Sequence, residues 1–204
     1  MLAFRKAYEA GAEGIEFDVH LTSDGVPVVM HDENTLRTTG TDRFIRDITL
    51  SEFLALDAGA YKHGAFGAMP PPTLREVLAF VRESGIRIDI ELKTGVFEYP
   101  GIEESVIELL DEFGLRGKTL ISSFNHFTVR RVKALAEDIR VGLLEESWLL
   151  NAGAYTAAVG AEDLNPVFSF LNDDTVRELR KNGRGINAWT INEEEDMRLA
   201  LRYQ

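Results

Sequence analysis

The chain has 204 residues, 45% hydrophobic and 27% charged, a composition ordinary for a soluble globular protein and long enough for one domain that buries about 70% of the surface its unfolded chain exposes. No apolar run approaches the roughly 20 residues of a membrane span, so stable membrane insertion is not expected. Lys and Arg total 22 against 34 Asp and Glu, a net charge of -12, with no basic run to follow a nucleic-acid backbone, so nucleic acid is excluded as an expected partner. An acidic protein that handles an anion must neutralise its own field locally, with a bound cation and a few placed basic side chains. The absence of cysteine rules out disulfides, thiolate metal sites and a cysteine nucleophile, and fits a reducing compartment. The opening run MLAFRKAYEAGAEG has no apolar stretch of the secretory kind, and the expected location is cytoplasmic.

Helix formers fill residues 3 to 10 and stop at Gly11 and Gly14, after which IEFDV has the β-branched and aromatic character of a buried strand. Ser23-Asp24-Gly25 is a turn signal between EFDVHLT and VPVVMH. The link is too short for a crossover helix, so an antiparallel hairpin is predicted. Residues 35 to 72 read as irregular around one short helix, TLSEFLALD, and close at Pro70-Pro71-Pro72; they are expected to form an inserted cap. From Thr73 helices and strands alternate: TLREVLAFVRESG, IRIDIELK, GIEESVIELLDEFG, TLISSF, HFTVRRVKALAE and IRVGLLEE. The rhythm weakens through a helix at 151 to 160, a short strand near DLNPVF, helix DDTVRELRKNG, strand GINAWTIN and a last helix, EEEDMRLALR. Such alternation indicates parallel βαβ units. Six parallel strands are predicted, two short of a closed (β/α)₈ barrel.

Alternate side chains of a strand share a face, so Glu16 and Asp18 point one way and Ile15, Phe17 and Val19 the other. IRIDIELK repeats the arrangement, with Asp89, Glu91 and Lys93 opposite Ile88, Ile90 and Leu92. Two buried strands thus aim acids at one place. Unpaired buried carboxylates cost several kcal/mol each, and oxygen-only ligands suit a hard ion, Mg²⁺ or Ca²⁺. Glu16, Asp18 and Glu91 are the metal-ligand candidates, against the alternative of a structural network with Arg or Lys. His31 ends the returning arm of the hairpin, where an imidazole can give or take a proton near neutral pH, or can simply be a surface histidine beside Asp32. Lys93, on the face of Glu91, can supply positive charge to a phosphate or bridge Glu91 or Asp89. His20 can face the site or sit at its rim, whereas His63 and His126 read as exposed loop residues. Trp189 can wall a pocket against an apolar part of a substrate or belong to the core.

Taken together, AFRKAYEAGAEGIEFDVHLTSDGVPVVMHDENTLRTTG, DITLSEFLALDAG, PPTLREVL, IDIELK, ISSFN, VGLLEE, LNPVFSFLNDDTV and AWTIN resemble the glycerophosphodiester phosphodiesterase family over nearly the whole chain. The resemblance implies a TIM (β/α)₈ barrel over residues 1 to 204, with a small subdomain inserted after strand two at about 21 to 70. The family's His-Arg-Gly strand one and its strand eight have no counterpart in this sequence, so an incomplete barrel, reduced activity and self-association are expected. The implied activity is metal-dependent hydrolysis of glycerophosphodiesters to glycerol 3-phosphate and an alcohol, in lipid and glycerol metabolism. Glu16, Asp18 and Glu91 would then hold one Mg²⁺ or Ca²⁺, His31 would be one of two catalytic histidines, and Lys93 would bind phosphate. A phospholipase D-like activity on lysophospholipids and a non-catalytic phosphoester- or metal-binding fragment are the competing expectations.

Overall fold

A computed structural model describes residues 1–62, 65 and 67–203. His63 and Gln204 lie outside the described residues. The described chain forms two compact units, Met1–Leu120 and Ile121–Gln204.

In the first unit, helix α1 (Leu2–Glu9) leads into strand β1 (Gly14–Leu21), which turns back antiparallel as β2 (Pro27–Val29) with Val19 opposite Val29 and His20 opposite Val28. Asp24 accepts from the Thr22 hydroxyl at 2.6 Å, and Gly25 takes a φ of 78° that a side chain would strain. The hairpin expected from Ser23-Asp24-Gly25 is therefore present. Two short helices follow, α2 (Leu36–Thr39) and α3 (Leu50–Leu54), the second opened by a capping box between Thr49 and Glu52. Val28, Met30, Ile45, Ile48 and Phe53 bury one another into a small core, so the segment after β1 carries its own apolar support.

Thr73 and Glu76 form a second capping box at the start of α4 (Leu74–Ser84), and Gly85 ends it in the left-handed conformation. Strand β3 (Arg87–Leu92) lies parallel to β1, giving the order β2-β1-β3, and α5 (Ile102–Phe113) packs against α4. The apolar faces expected from alternation are the buried ones: Ile15, Phe17 and Val19 on β1, Ile88, Ile90 and Leu92 on β3.

Strand β4 (Thr119–Ser123) leads into the second unit, which contains α6 (His126–Leu135), β5 (Arg140–Glu145), α7 (Ala152–Val159), β6 (Asp163–Pro166), α8 (Asp173–Lys181), β7 (Gly185–Ile186) and α9 (Glu194–Ala200). β5, β6 and β7 are parallel neighbours. β7 is shorter than the strand predicted over GINAWTIN. The backbone N–H groups of Asn187 and Trp189 still donate to Leu164 and Pro166, but the return bond to Asn187 would have to come from Pro166, which has no N–H. Pairing resumes only at the bridge between Val167 and Trp189. Among the described residues no helix is long and apolar enough to cross a membrane.

Helices α7 and α8 approach so closely that a Cβ on Gly153 would stand 2.5 Å from the Glu178 carbonyl oxygen and 2.8 Å from the Asn182 side-chain nitrogen. Backbone cannot yield as a side chain can. Gly153→Ala is expected to destabilise the protein by about 1–3 kcal/mol, read as a lower urea midpoint at unchanged slope; an unchanged midpoint would show that the two helices separate without cost.

Candidate active site

The site is built by the parallel register of β1 and β3, which sets Glu16 beside Asp89 and Asp18 beside Glu91. Asp18 and Glu91 are each only 8% exposed, whereas Glu16 stands at the open end of the group. One carboxylate oxygen from each of Glu16, Asp18 and Glu91 lies within 4.8 Å of the others, so the three acids expected to converge do so. Lys93 follows β3 directly, and its backbone N–H still donates to Val19 at 3.1 Å, which keeps its side chain over the same face. The ammonium lies 3.0 Å from Glu91 and 3.7 Å from Asp18. The bridge expected to Glu91 or Asp89 is thus made to Glu91 and extends to Asp18.

One ammonium does not neutralise three carboxylates. Burial, then the charges of Asp18, Asp89 and Glu91, push the Glu16 carboxyl up to about 8, and Lys93 offsets this only in part. Burial also raises Asp18 and Glu91, again opposed by Lys93. For Lys93 burial works against the charge, yet Glu91 and Asp18 outweigh it and hold the ammonium above its ordinary value. Surplus negative charge on oxygen donors alone is the chemistry of a hard divalent cation site, and these three residues fit one.

His31 reaches the same region because the backbone N–H of Met30 donates to Asp18 across the hairpin, at 3.2 Å. Its ring is exposed at the mouth, with Nδ1 2.7 Å from Asp32 Oδ1. Arg37 grips the same carboxylate with two bonds, Nε to Oδ2 at 2.6 Å and Nη2 to Oδ1 at 2.9 Å. Sequence reasoning noticed Asp32 only as a turn neighbour and missed Arg37, because five residues of irregular chain give no period that would predict the contact.

Two other histidines overturn an exposed reading. His20 is not at the rim: it is fully buried, with Nδ1 3.1 Å from the Tyr99 hydroxyl and Nε2 3.5 Å from the backbone oxygen of His31. Tyr99 lies in the loop after β3, where no spacing argument pointed to it. His126 is half-buried rather than exposed, and both ring nitrogens are engaged, Nδ1 with the Tyr155 hydroxyl at 2.8 Å and Nε2 with the Leu144 carbonyl at 3.0 Å. In the second unit Trp189 is half-buried, donates its indole N–H to the Asn165 carbonyl at 2.8 Å and meets Phe124 edge-on.

The sequence profile of the glycerophosphoryl diester phosphodiesterase family matches residues 1–204. The chain belongs to this family. It is 38% identical over 200 residues to a glycerophosphodiester phosphodiesterase of Caldanaerobacter subterraneus subsp. tengcongensis, covering 98% of this chain and 82% of that protein. Among solved structures, an Oleispira antarctica phosphodiesterase in complex with the product sn-glycerol-3-phosphate superposes with a TM-score of 0.86 at 28% identity, over 99% of this chain and 82% of that one. A glycerophosphodiester phosphodiesterase from Thermotoga maritima gives 0.74 at 28% identity, over 99% and 83%. The fold is accordingly the TIM-barrel-like α/β fold of the family, and the chain is an enzyme of that class.

Burial lowers the His20 imidazole to about 4. Between that value and the ordinary histidine value near 6.5 the unfolded chain binds the proton and the folded one does not, so this group's contribution is complete above about 6.5 and is lost as the pH falls toward 4. The loss is on the order of 3 kcal/mol. In urea unfolding the advantage of the parent protein over His20→Gln should therefore be large at pH 7.5 and much smaller at pH 4.5; an equal gap at both would contradict a buried neutral imidazole.

Proposed function

We propose that this chain hydrolyses glycerophosphodiesters to glycerol 3-phosphate and an alcohol, with one divalent cation, Mg²⁺ or Ca²⁺, held by Glu16, Asp18 and Glu91. The observation that carries the reading is the convergence of those three carboxylates from adjacent parallel strands, with Lys93 paired to Asp18 and Glu91. The product bound by the Oleispira antarctica relative and the activity named for the Caldanaerobacter protein support the substrate class.

In the reaction a phosphorus–oxygen bond to the alcohol breaks, and water supplies the oxygen and protons that complete the two products. A divalent cation at the triad supplies Lewis-acid stabilisation of phosphoryl charge. Lys93 binds a phosphate oxygen once its carboxylate partners are otherwise neutralised, which provides positive charge that a chain of net charge -12 otherwise lacks there. His31 carries one of the two proton transfers from its exposed position at the mouth. The segment at about 21 to 70 is read as an inserted cap, supported by the small core of Val28, Met30, Ile45, Ile48 and Phe53.

A coupled assay for glycerol 3-phosphate release from glycerophosphocholine tests the reading. Activity should disappear with EDTA and return with Mg²⁺ or Ca²⁺, and Glu16→Gln should lower kcat by about 10²- to 10³-fold, the range for removing a group that stabilises developing charge. Turnover that survives the chelator, or a Glu16→Gln protein as active as its parent, would remove the cation from the mechanism.

A further inference from the structure

The turn after β2 is closed more firmly than its exposure suggests. Thr35, fully buried, donates its hydroxyl to the Thr41 carbonyl at 2.5 Å and its backbone N–H to Arg43 at 2.9 Å. The Thr39 hydroxyl donates back to the Thr35 carbonyl at 2.9 Å. Asn34 accepts from the Leu36 N–H and donates to Asp42 at 2.8 Å. These bonds hold α2 as a fixed hook, and Arg37 hangs from it over Asp32.

Arg37 forks onto both oxygens of Asp32, and one of those oxygens also faces His31 Nδ1. A carboxylate accepts only, so the proton in that short contact belongs to the imidazole: Nδ1 carries a hydrogen, and whenever the ring is neutral Nε2 is the bare nitrogen. A fork of two charge-assisted bonds sets the plane of the carboxylate, and the carboxylate sets the plane of the ring. Arg37 also holds the Asp32 carboxyl at about 2, so the acceptor stays ionised across the working range. The ion pair is largely exposed and contributes little to stability; its effect is orientation.

We propose that Asp32 and Arg37 are positioning residues for His31, fixing its ring in the Nδ1–H tautomer so that Nε2 is the atom that exchanges the proton with the substrate. This rests on the reading of His31 as a proton-transfer residue. Neither residue touches the substrate. Removing the carboxylate releases the ring and its tautomer, whereas removing the guanidinium loosens the carboxylate but leaves it in place, so Asp32 matters more than Arg37.

The test combines ¹⁵N NMR of the His31 ring with steady-state kinetics on glycerophosphocholine in the presence of Mg²⁺. In the parent protein at a pH where the ring is neutral, His31 should show Nδ1 protonated and Nε2 bare, opposite to the tautomer that free imidazoles favour in water. Asp32→Asn should reverse or mix the two. Asp32→Asn should lower kcat by about 10²-fold and Arg37→Leu by about 10-fold, the range for losing groups that orient an active side chain, with KM and the thermal midpoint little changed. Arg37→Lys should recover part of the loss. In a His31→Gln background, Asp32→Asn should cost nothing more, because its effect passes through the ring. A parent ring with Nε2 protonated, or a full additional loss in that background, overturns the proposal. Full activity of His31→Gln overturns the assignment of His31 itself, and the tautomer measurement still decides the positioning claim. The same spectrum decides it if the chain shows no turnover.

Discussion

Everything at the site depends on one pairing in the sheet: parallel register sets Asp18 directly beside Glu91, both almost fully buried, with Glu16 one step nearer the surface on the same face. Adjacent buried acids oppose folding, and the structure answers with a single ammonium from Lys93, held over the face because its own backbone still pairs with Val19. That answer is incomplete by charge. The fold therefore carries an electrostatic cost at these carboxyls, which a cation held there would relieve. The remaining apolar architecture of β1 and β3 serves to hold this register, since a slip of either strand by one residue would turn its own acids into the hydrophobic layer.

A second constraint is that the chain beyond β1 passes close to the acids without burying a further titratable group among them. The hairpin meets it by turning β2 back along β1, so that the chain leaves the sheet at Met30 and presents His31 at the mouth. His20 and Tyr99, both buried, meet in a neutral hydrogen bond; burial also keeps the Tyr99 phenol well above its ordinary range. The segment beyond His31 is short polar chain, tied by threonine and asparagine side chains rather than by a sheet. Placing chemistry on a loop whose own hydrogen bonds are complete combines access with rigidity.

Much of this was legible in the residues. Alternation in IEFDV and IRIDIEL separates apolar from acidic faces whatever the surroundings, because a strand has a period of two; Thr73 with Glu76, and Gly85 twelve residues after Thr73, mark both ends of α4 by local capping chemistry. The short link at Ser23-Asp24-Gly25 forces a hairpin. What was misread involves partners distant in sequence. His20 was open between the site and its rim, and the rim is overturned by burial against Tyr99, 79 residues away. His126 looked exposed until Tyr155 and the Leu144 carbonyl took both its nitrogens. GINAWTIN has the composition of a strand, but the ladder is interrupted by Pro166 on its neighbour.

The sequence by itself determined which side chains share a face, where helices begin and end, and that two strands each carry acids on one face, with a lysine beside the second. These are properties of local backbone geometry, and a period or a cap can be read from adjacent residues. Only the tertiary structure decided that the acids of β1 and β3 lie in register within 4.8 Å, that Lys93 bridges two of them, and that Arg37 and His31 meet on the Asp32 carboxylate. Those facts depend on register between strands and on the closure of an irregular turn. Both arise from contacts between residues that no local pattern relates.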